Sequence, residues 1–319
     1  MSTKGILKML CVVICTRERP KMLRRLLESC IELTPDKRSE ISFIVLENGP
    51  VLTAEPVIAD FRQSLDISYF HEPRPGLVYA RNAGIERFLA TNAAWMGSID
   101  DDEVMDDQWL IGMLDAMHTW PDCKVFAGQQ VRVSLGNDRG WAQSKPKPEL
   151  KTGTAKWDVT TGNVIFSRSV FAPNGLNLRY NPIFNFSGSE DTHLFYTLRK
   201  LNEDILWVNE AICFEPVHEA RAAFFPRMKR QIQFAQSWGV AKKLIDGNFH
   251  GIIWLIFYTF VTGVNFITHT IIGAILFAFS QPLGVRIVNS GIHFGCRAIG
   301  YFKALFFKLG KLYEQVQGN

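Results

Sequence analysis

At 319 residues, 47% apolar and 21% charged, the chain is long enough for one large domain or two smaller ones, and it describes a globular protein leaning towards membrane contact. Its net charge of +4 lies in the tail, where Arg286, Arg297, Lys303, Lys308 and Lys311 face one acid, Glu314. These cations, and Arg221, Arg227, Lys229, Arg230, Lys242 and Lys243 before them, flank apolar sequence, which suits anionic lipid headgroups and disfavours nucleic acid as a partner.

The six cysteines form no CxxC pair and read as reduced thiols of a cytoplasmic protein. "MSTKG" runs straight into a strand pattern without the length or cleavage site of a signal peptide, so export is not expected.

In chain order, "MLCVVIC" (9–15) is a continuous apolar run, the pattern of a strand covered on both faces. A helix follows, with Pro20 near its start and Met22, Leu23, Leu26, Leu27 and Cys30 at helical spacing. Then come the strands "ISFIVLENG" and "DISYFHEP", a helix at "VYARNAGIERFLATN", and an apolar strand ending in Asp100, Asp101, Asp102 and Glu103. The alternation predicts a parallel, doubly wound α/β sheet, in which ligands bind beyond the carboxyl ends of the strands, where these acids lie. Further strands are expected near 124–133, 163–167 and 205–208, with a helix at "SEDTHLFYTLRKLN" and a polar loop at 144–151.

No charge occurs between Asp246 and Arg286, a run of 39 positions. It is long enough to span a membrane once, which takes roughly 20 residues, or to bend near Gly263–Asn265 and return. "VNSGIHFGCRAIGYFKALFFKLGKLY" after it mixes aromatics and lysines like an interfacial helix. The other reading is a buried helical hairpin.

Adjacent like charges raise the cost of ionising one another. Either the acidic cluster is a solvated loop beside a helix start, or it holds a divalent cation through hard oxygen ligands. The chain has no GxxxxGK[ST] and no GxGxxG after its first strand, so bound phosphates would need a metal to neutralise them.

Six segments in order, "VVICTRERP", "VLENG", "GLVYARNAGI", "IDDDE", "TGNVIFSRSVF" and "GSEDTHLFYTLRK", resemble family 2 inverting glycosyltransferases of the GT-A fold, across roughly residues 9–240. The likeness is to bacterial enzymes that build polysaccharide units on a lipid carrier. It implies that Asp102 is the principal ligand of Mn²⁺ or Mg²⁺ and that Asp100 contacts the nucleoside. Thr16, Arg17 and Glu47 would lie around base and ribose; Glu47 stands where the family more often has Asp, and the base is usually uracil. Arg81 either faces the anionic donor or pairs with the acidic cluster. Gly162, Asn163 and Glu190 would lie near donor sugar or acceptor, and His218 matches a further metal ligand of some relatives. Asp191 either caps a helix or, as the resemblance implies, serves as general base for the attacking acceptor hydroxyl.

The QxxRW segment and multiple spans of processive members are missing from "KRQIQFAQSWG" and the single apolar region, which favours addition of one sugar. The expected organisation is a catalytic domain over 1–246 and membrane-associating helices over 247–319. The expected activity is transfer from a nucleotide-diphosphate sugar to a polyprenyl-phosphate-linked or saccharide acceptor at the cytoplasmic face of the plasma membrane. The alternatives are an inactive nucleotide- or glycan-binding scaffold and a nucleotidyltransferase; the latter normally has a glycine-rich phosphate loop, which "CTRERPK" is not.

Overall fold

The structure is a computed structural model describing residues 9–33, 40–134, 150–217, 224–306 and 309. Within them, β1 (Leu10–Thr16), α1 (Pro20–Glu32), β2 (Ile41–Asn48), α2 (Glu55–Phe61), β3 (Ile67–Glu72), α3 (Leu77–Leu89) and β4 (Trp95–Asp100) alternate, all but α2 as the pattern predicts. β2 and β4 pair with β1 in parallel, and β3 pairs with β2 in parallel. Alternate β1 residues enter two cores. Leu10, Val12 and Ile14 pack with Leu23, Leu26 and Leu27 of α1, whereas Cys11 and Val13 pack with Val78, Ile85 and Phe88 of α3. Each fully buried side chain of this kind is worth about 1.5–3 kcal/mol, and the two-sided burial explains why β1 is apolar throughout.

The remaining elements are β5 (Val104–Met105), α4 (Trp109–Thr119), β6 (Val125–Ser134), β7 (Asn163–Ser167), α5 (Glu190–Lys200) and β8 (Ile205–Val217). They complete an eight-stranded sheet in the order β3-β2-β1-β4-β7-β6-β8-β5. This half corrects the expectation of a parallel sheet: β7 runs antiparallel between β4 and β6, β8 parallels β6, and β5 runs antiparallel to β8. The sheet is therefore mixed. No helical crossover joins β6 to β7 among the described residues, and a short apolar run such as "NVIFS" carries no mark of strand direction.

Two compact bodies divide the chain. The sheet body holds residues up to 185 together with 194–219; the second holds 186–193 and 220–315. The second body contains α6 (Phe224–Asp246), α7 (Asn248–Phe279) and α8 (Gln281–Ala304). Within this body α6 packs against α8. α7 passes Gly263 and Asn265 without a break, and the chain turns at Ser280. α7 is long and apolar enough to cross a membrane by length and composition.

Candidate active site

The parallel register sets Thr16 opposite Glu47 and Cys15 opposite Asp100, so the carboxyl ends of β1, β2 and β4 form one edge. The acids that follow β4 are not equivalent there. Asp101 is buried: its Oδ2 accepts from Thr16 Oγ1 at 2.8 Å and its Oδ1 from Arg19 Nη1 at 2.9 Å. Burial pushes its carboxyl up from the ordinary value, with the Arg19 guanidinium opposing. Glu103 is 2% exposed; its Oε1 accepts from Gln130 Nε2 at 2.6 Å, and its Oε2 has no hydrogen-bond partner among the described residues. Its carboxyl is pushed well above the usual range, first by burial and then by the charges of Asp100 and Asp102.

Asp100 and Asp102 remain towards the edge, their side chains 43% and 15% exposed. Arg81 Nη2 donates to Asp100 Oδ1 at 3.1 Å, and Arg19 Nη1 lies 3.7 Å from Asp102 Oδ2. Arg81 is itself buried, and its guanidinium sits 5.6 Å from the centre of the Tyr180 ring. Asn82 fixes that tyrosine from both sides, its Nδ2 donating to Tyr180 O and its Oδ1 accepting from Tyr180 N, both at 2.9 Å. α3 starts at Leu77, so Arg81 and Asn82 stand in its second turn. Burial pushes the nearby Cys15 thiol up to about 12, with Arg81 opposing, which keeps it out of nucleophilic chemistry.

Gly162 abuts this group. A β-carbon there would meet Gln130 Nε2 at 2.4 Å and Asp100 Oδ2 at 2.9 Å. Gln130 Oε1 accepts from Thr160 Oγ1, which closes a chain Glu103–Gln130–Thr160 alongside Asp100.

Two predicted residues are committed to the scaffold. Glu47 is 0% exposed. Its Oε1 accepts from Thr53 N at 2.5 Å, Thr53 Oγ1 at 3.0 Å and Ala54 N at 3.0 Å, and its Oε2 accepts from Tyr69 OH at 2.5 Å. Asn163 is 1% exposed, accepting from Trp109 Nε1 at 2.7 Å and donating to Gln129 O and Ala211 O at 2.9 Å each. Arg17 lies against Gly49, whose β-carbon would stand 3.2 Å from Arg17 Nε. His218 lies outside the described residues.

Glu190 and Asp191 form the first turn of α5 and belong to the second body. They follow two consecutive left-handed residues, Gly188 at φ 75° and Ser189 at φ 68°. Such a conformation costs a non-glycine residue about 1–3 kcal/mol and concentrates at functional turns. Glu190 is buried, and Asp191 Oδ1 accepts from Thr192 N at 2.6 Å.

A divalent cation fits the donor set in kind. Asp100 and Asp102 offer hard oxygens at the edge while Asp101 between them turns inward, the alternation expected of an Asp-x-Asp ligand pair. No group of three His, Cys, Asp or Glu that could hold an ion exists among the described residues. The protein would then supply a minority of the ligands, as suits a metal that shares its shell with diphosphate oxygens and water.

Arg19, Gln130 and Thr160 were not singled out by sequence reasoning. Arg19 had a signal in "TRERP", a cation directly before the helix-starting proline; Gln130 and Thr160 had none.

No curated protein matches the chain by sequence. Solved structures share the fold. S. aureus TarS 1–349 in complex with UDP-GlcNAc aligns with TM-score 0.56 at 13% identity, over 93% of this chain and 90% of that one. The mannosyltransferase PcManGT from Pyrobaculum calidifontis, in complex with GDP-Man and Mn²⁺, gives 0.52 at 14% identity over 75% and 65%. GalNAc-T7 with UDP, GalNAc and Mn²⁺ gives 0.52 at 16% over 66% and 44%. At such identities the likeness is one of fold, the GT-A-like α/β arrangement. The sequence model of glycosyl transferase family 2 matches residues 11–175, the stretch that builds β1 to β7 and most of the acidic edge, and by that match over more than half of its length the chain belongs to glycosyl transferase family 2.

Proposed function

We propose that this glycosyltransferase adds a single sugar, with inversion, from a nucleotide-diphosphate sugar, a UDP-sugar by preference, to a lipid-linked or saccharide acceptor in bacterial surface or exopolysaccharide synthesis. The observation that carries the reading is the Asp100–Asp102 edge. Two outward acids stand at the carboxyl ends of parallel strands, each beside an arginine, and the inward Asp101 is locked by Thr16 and Arg19. The solved neighbours that hold UDP-GlcNAc, or GDP-Man with Mn²⁺, support the donor class by analogy of fold.

In this reading Asp102 would be the principal holder of Mn²⁺ or Mg²⁺, with Asp100 beside it towards the nucleoside, and the ion would supply charge withdrawal from the departing nucleotide. Arg81 and Arg19 balance the edge before the donor arrives. Thr16, Arg17 and Asp100 line the nucleoside side, and Glu47 supports them from behind through Thr53, Ala54 and Tyr69. Asp191 takes the proton of the acceptor hydroxyl as that oxygen bonds to the anomeric carbon and the bond from this carbon to the diphosphate oxygen breaks. Glu190 and Gly162 shape the sugar and acceptor side, and Asn163 supports it from within through Trp109, Gln129 and Ala211. The reading puts the reaction at the cytoplasmic face of the plasma membrane, where a polyprenyl-phosphate-linked acceptor presents its head group.

The test is thermal stability with UDP, GDP, TDP and CDP, each with and without Mn²⁺. Stabilisation by one nucleotide that requires metal and disappears in Asp102→Ala supports the reading. Absence of stabilisation by all four favours the inactive scaffold.

A further inference from the structure

The second body has a surface that donor chemistry does not use. Along α7, Ile253, Ile256, Phe257, Phe260, Val264, Ile267, Ile271 and Ile275 recur at intervals that keep them on one helix face. Every one of them is exposed, from 42% for Val264 to 70% for Phe260. At 1.5 Å per residue the stripe runs for roughly 33 Å, and the hydroxyl of Thr268 at its margin is turned back onto Asn265 O.

The opposite side of α7 is covered along its length. Gly251 packs on Lys243 and Leu255 on Gly239 of α6; Phe266 packs on Gly295, Gly273 on Val288 and Phe277 on Gly284 of α8. α8 thus runs antiparallel to α7, and α6 lies beside α8 through Met228–Cys296 and Gly300–Ala235. The polar composition of these covering helices differs from that of the stripe. Residues 224–306 hold eight basic side chains and one acid, Asp246, which pairs with Lys242 at 2.6 Å. Arg227, Lys229, Arg286, Arg297 and Lys303 are exposed.

This arrangement decides between crossing a bilayer and lying on one. Phe266, halfway along the stripe, stands level with Gly295, two residues from Arg297 and one from Cys296, which meets Met228 between Arg227 and Lys229. Were α7 to cross a hydrocarbon core of about 30 Å, these exposed cations would be carried to mid-depth, where charge is least tolerated. With α7 lying flat, the same cations stay at headgroup level.

We propose that α7 docks in the plane of the membrane, its Ile253–Ile275 stripe among the acyl chains of one leaflet and the cations of α6 and α8 against anionic headgroups. The stripe enters the leaflet on the side of α7 away from its helical neighbours, so the Ser280 turn stays on the side from which the protein binds. The proposal rests on the reading that the second body meets a membrane, and it is independent of sugar transfer.

The full-length protein is added to preformed vesicles of phosphatidylcholine alone, or with phosphatidylglycerol at about one third. The expected result is at least tenfold more bound protein on the anionic vesicles, falling at least tenfold in Ile256→Asp/Phe260→Asp, whose substituted side chains are exposed and leave the helix packing intact. A membrane-impermeant maleimide added outside should label bound Ser280→Cys above the background of the parent protein. Binding with Ser280→Cys protected until detergent is added overturns the in-plane arrangement and leaves membrane contact standing. Failure to bind either vesicle overturns both.

Discussion

Gly162 and Asp100 touch so closely that no side chain fits between them: a β-carbon at 162 would stand 2.9 Å from the Asp100 carboxylate. Both neighbours of that space are tethered, Asp100 by Arg81 and Gln130 by Glu103 and Thr160. Gly162→Ala should therefore displace one tether and lower kcat/KM at least tenfold. The change in unfolding free energy should stay within the 1–3 kcal/mol typical of overpacking. Steady-state kinetics beside a urea melt would separate the two.

Asp191→Asn keeps the size of the side chain and removes its basicity. Transfer should fall about 10²–10⁴-fold, while stabilisation by nucleotide and metal is unchanged, since neither needs the proton acceptor. Equal activity of the variant would remove Asp191 from the reaction.

Asp102→Ala is expected to act at the other end of the donor. A ligand at 100 times its dissociation constant stabilises the protein by about 2.7 kcal/mol, and the metal-dependent part of that gain should vanish in the variant. Loss of metal dependence in Asp101→Ala instead would reassign the ligand, although that change also removes the Thr16 and Arg19 contacts.

Glu47 should behave as a structural residue. Its four hydrogen bonds come from Thr53, Ala54 and Tyr69, and Glu47→Ala strands these donors in a buried space. A loss of about 3 kcal/mol in unfolding free energy is expected, with the order of nucleotide preference unaltered in the protein that remains folded.

Glu103 supplies a pH signature in metal-free protein. Its folded pKa is raised, so between the unfolded value near 4.5 and the folded value the native state holds the proton more tightly. Stability conferred by the neutral form is then complete below about pH 4.5 and is lost as pH rises towards the folded pKa. Glu103→Gln should flatten that decline and be more stable than the parent at pH 8. Denaturant midpoints measured from pH 4.5 to pH 8 in chelator check this; a parent profile that rises with pH would contradict it.

The half of the sheet built from β1 to β4 was legible from its apolar runs and from α1 and α3 between them, whereas α2 was not. β7 was legible as a strand but not in direction, which its neighbours decide. That the acids stand at the strand edge could be read from their position after β4. That Asp101 turns inward could not, since its partners Thr16 and Arg19 are 85 and 82 residues away in sequence. Glu47 was legible as a strand-end acid that attracts donors, but not that Thr53, Ala54 and Tyr69 provide them. The unbroken α7 shows that Gly263 alone, with open space around its Cα, does not interrupt a helix in strongly apolar sequence.

One clasp has a consequence for how the chain acquires its shape. The loop leading into α3 is held by Asn48, whose Oδ1 accepts from Gly76 N, and by Asn185, whose Oδ1 accepts from Val78 N and whose Nδ2 donates to Pro75 O. Gly76, at φ 124°, leaves no room for a β-carbon against Asn185. A growing chain that has emerged only as far as β6 can pair its parallel strands, but it cannot seat this loop, because the second half of the clasp is still to be synthesised 107 residues after Val78. The loop that leads into the helix carrying Arg81 is thus completed only once Asn185 has been made, so the acidic edge matures after the parallel strands that support it.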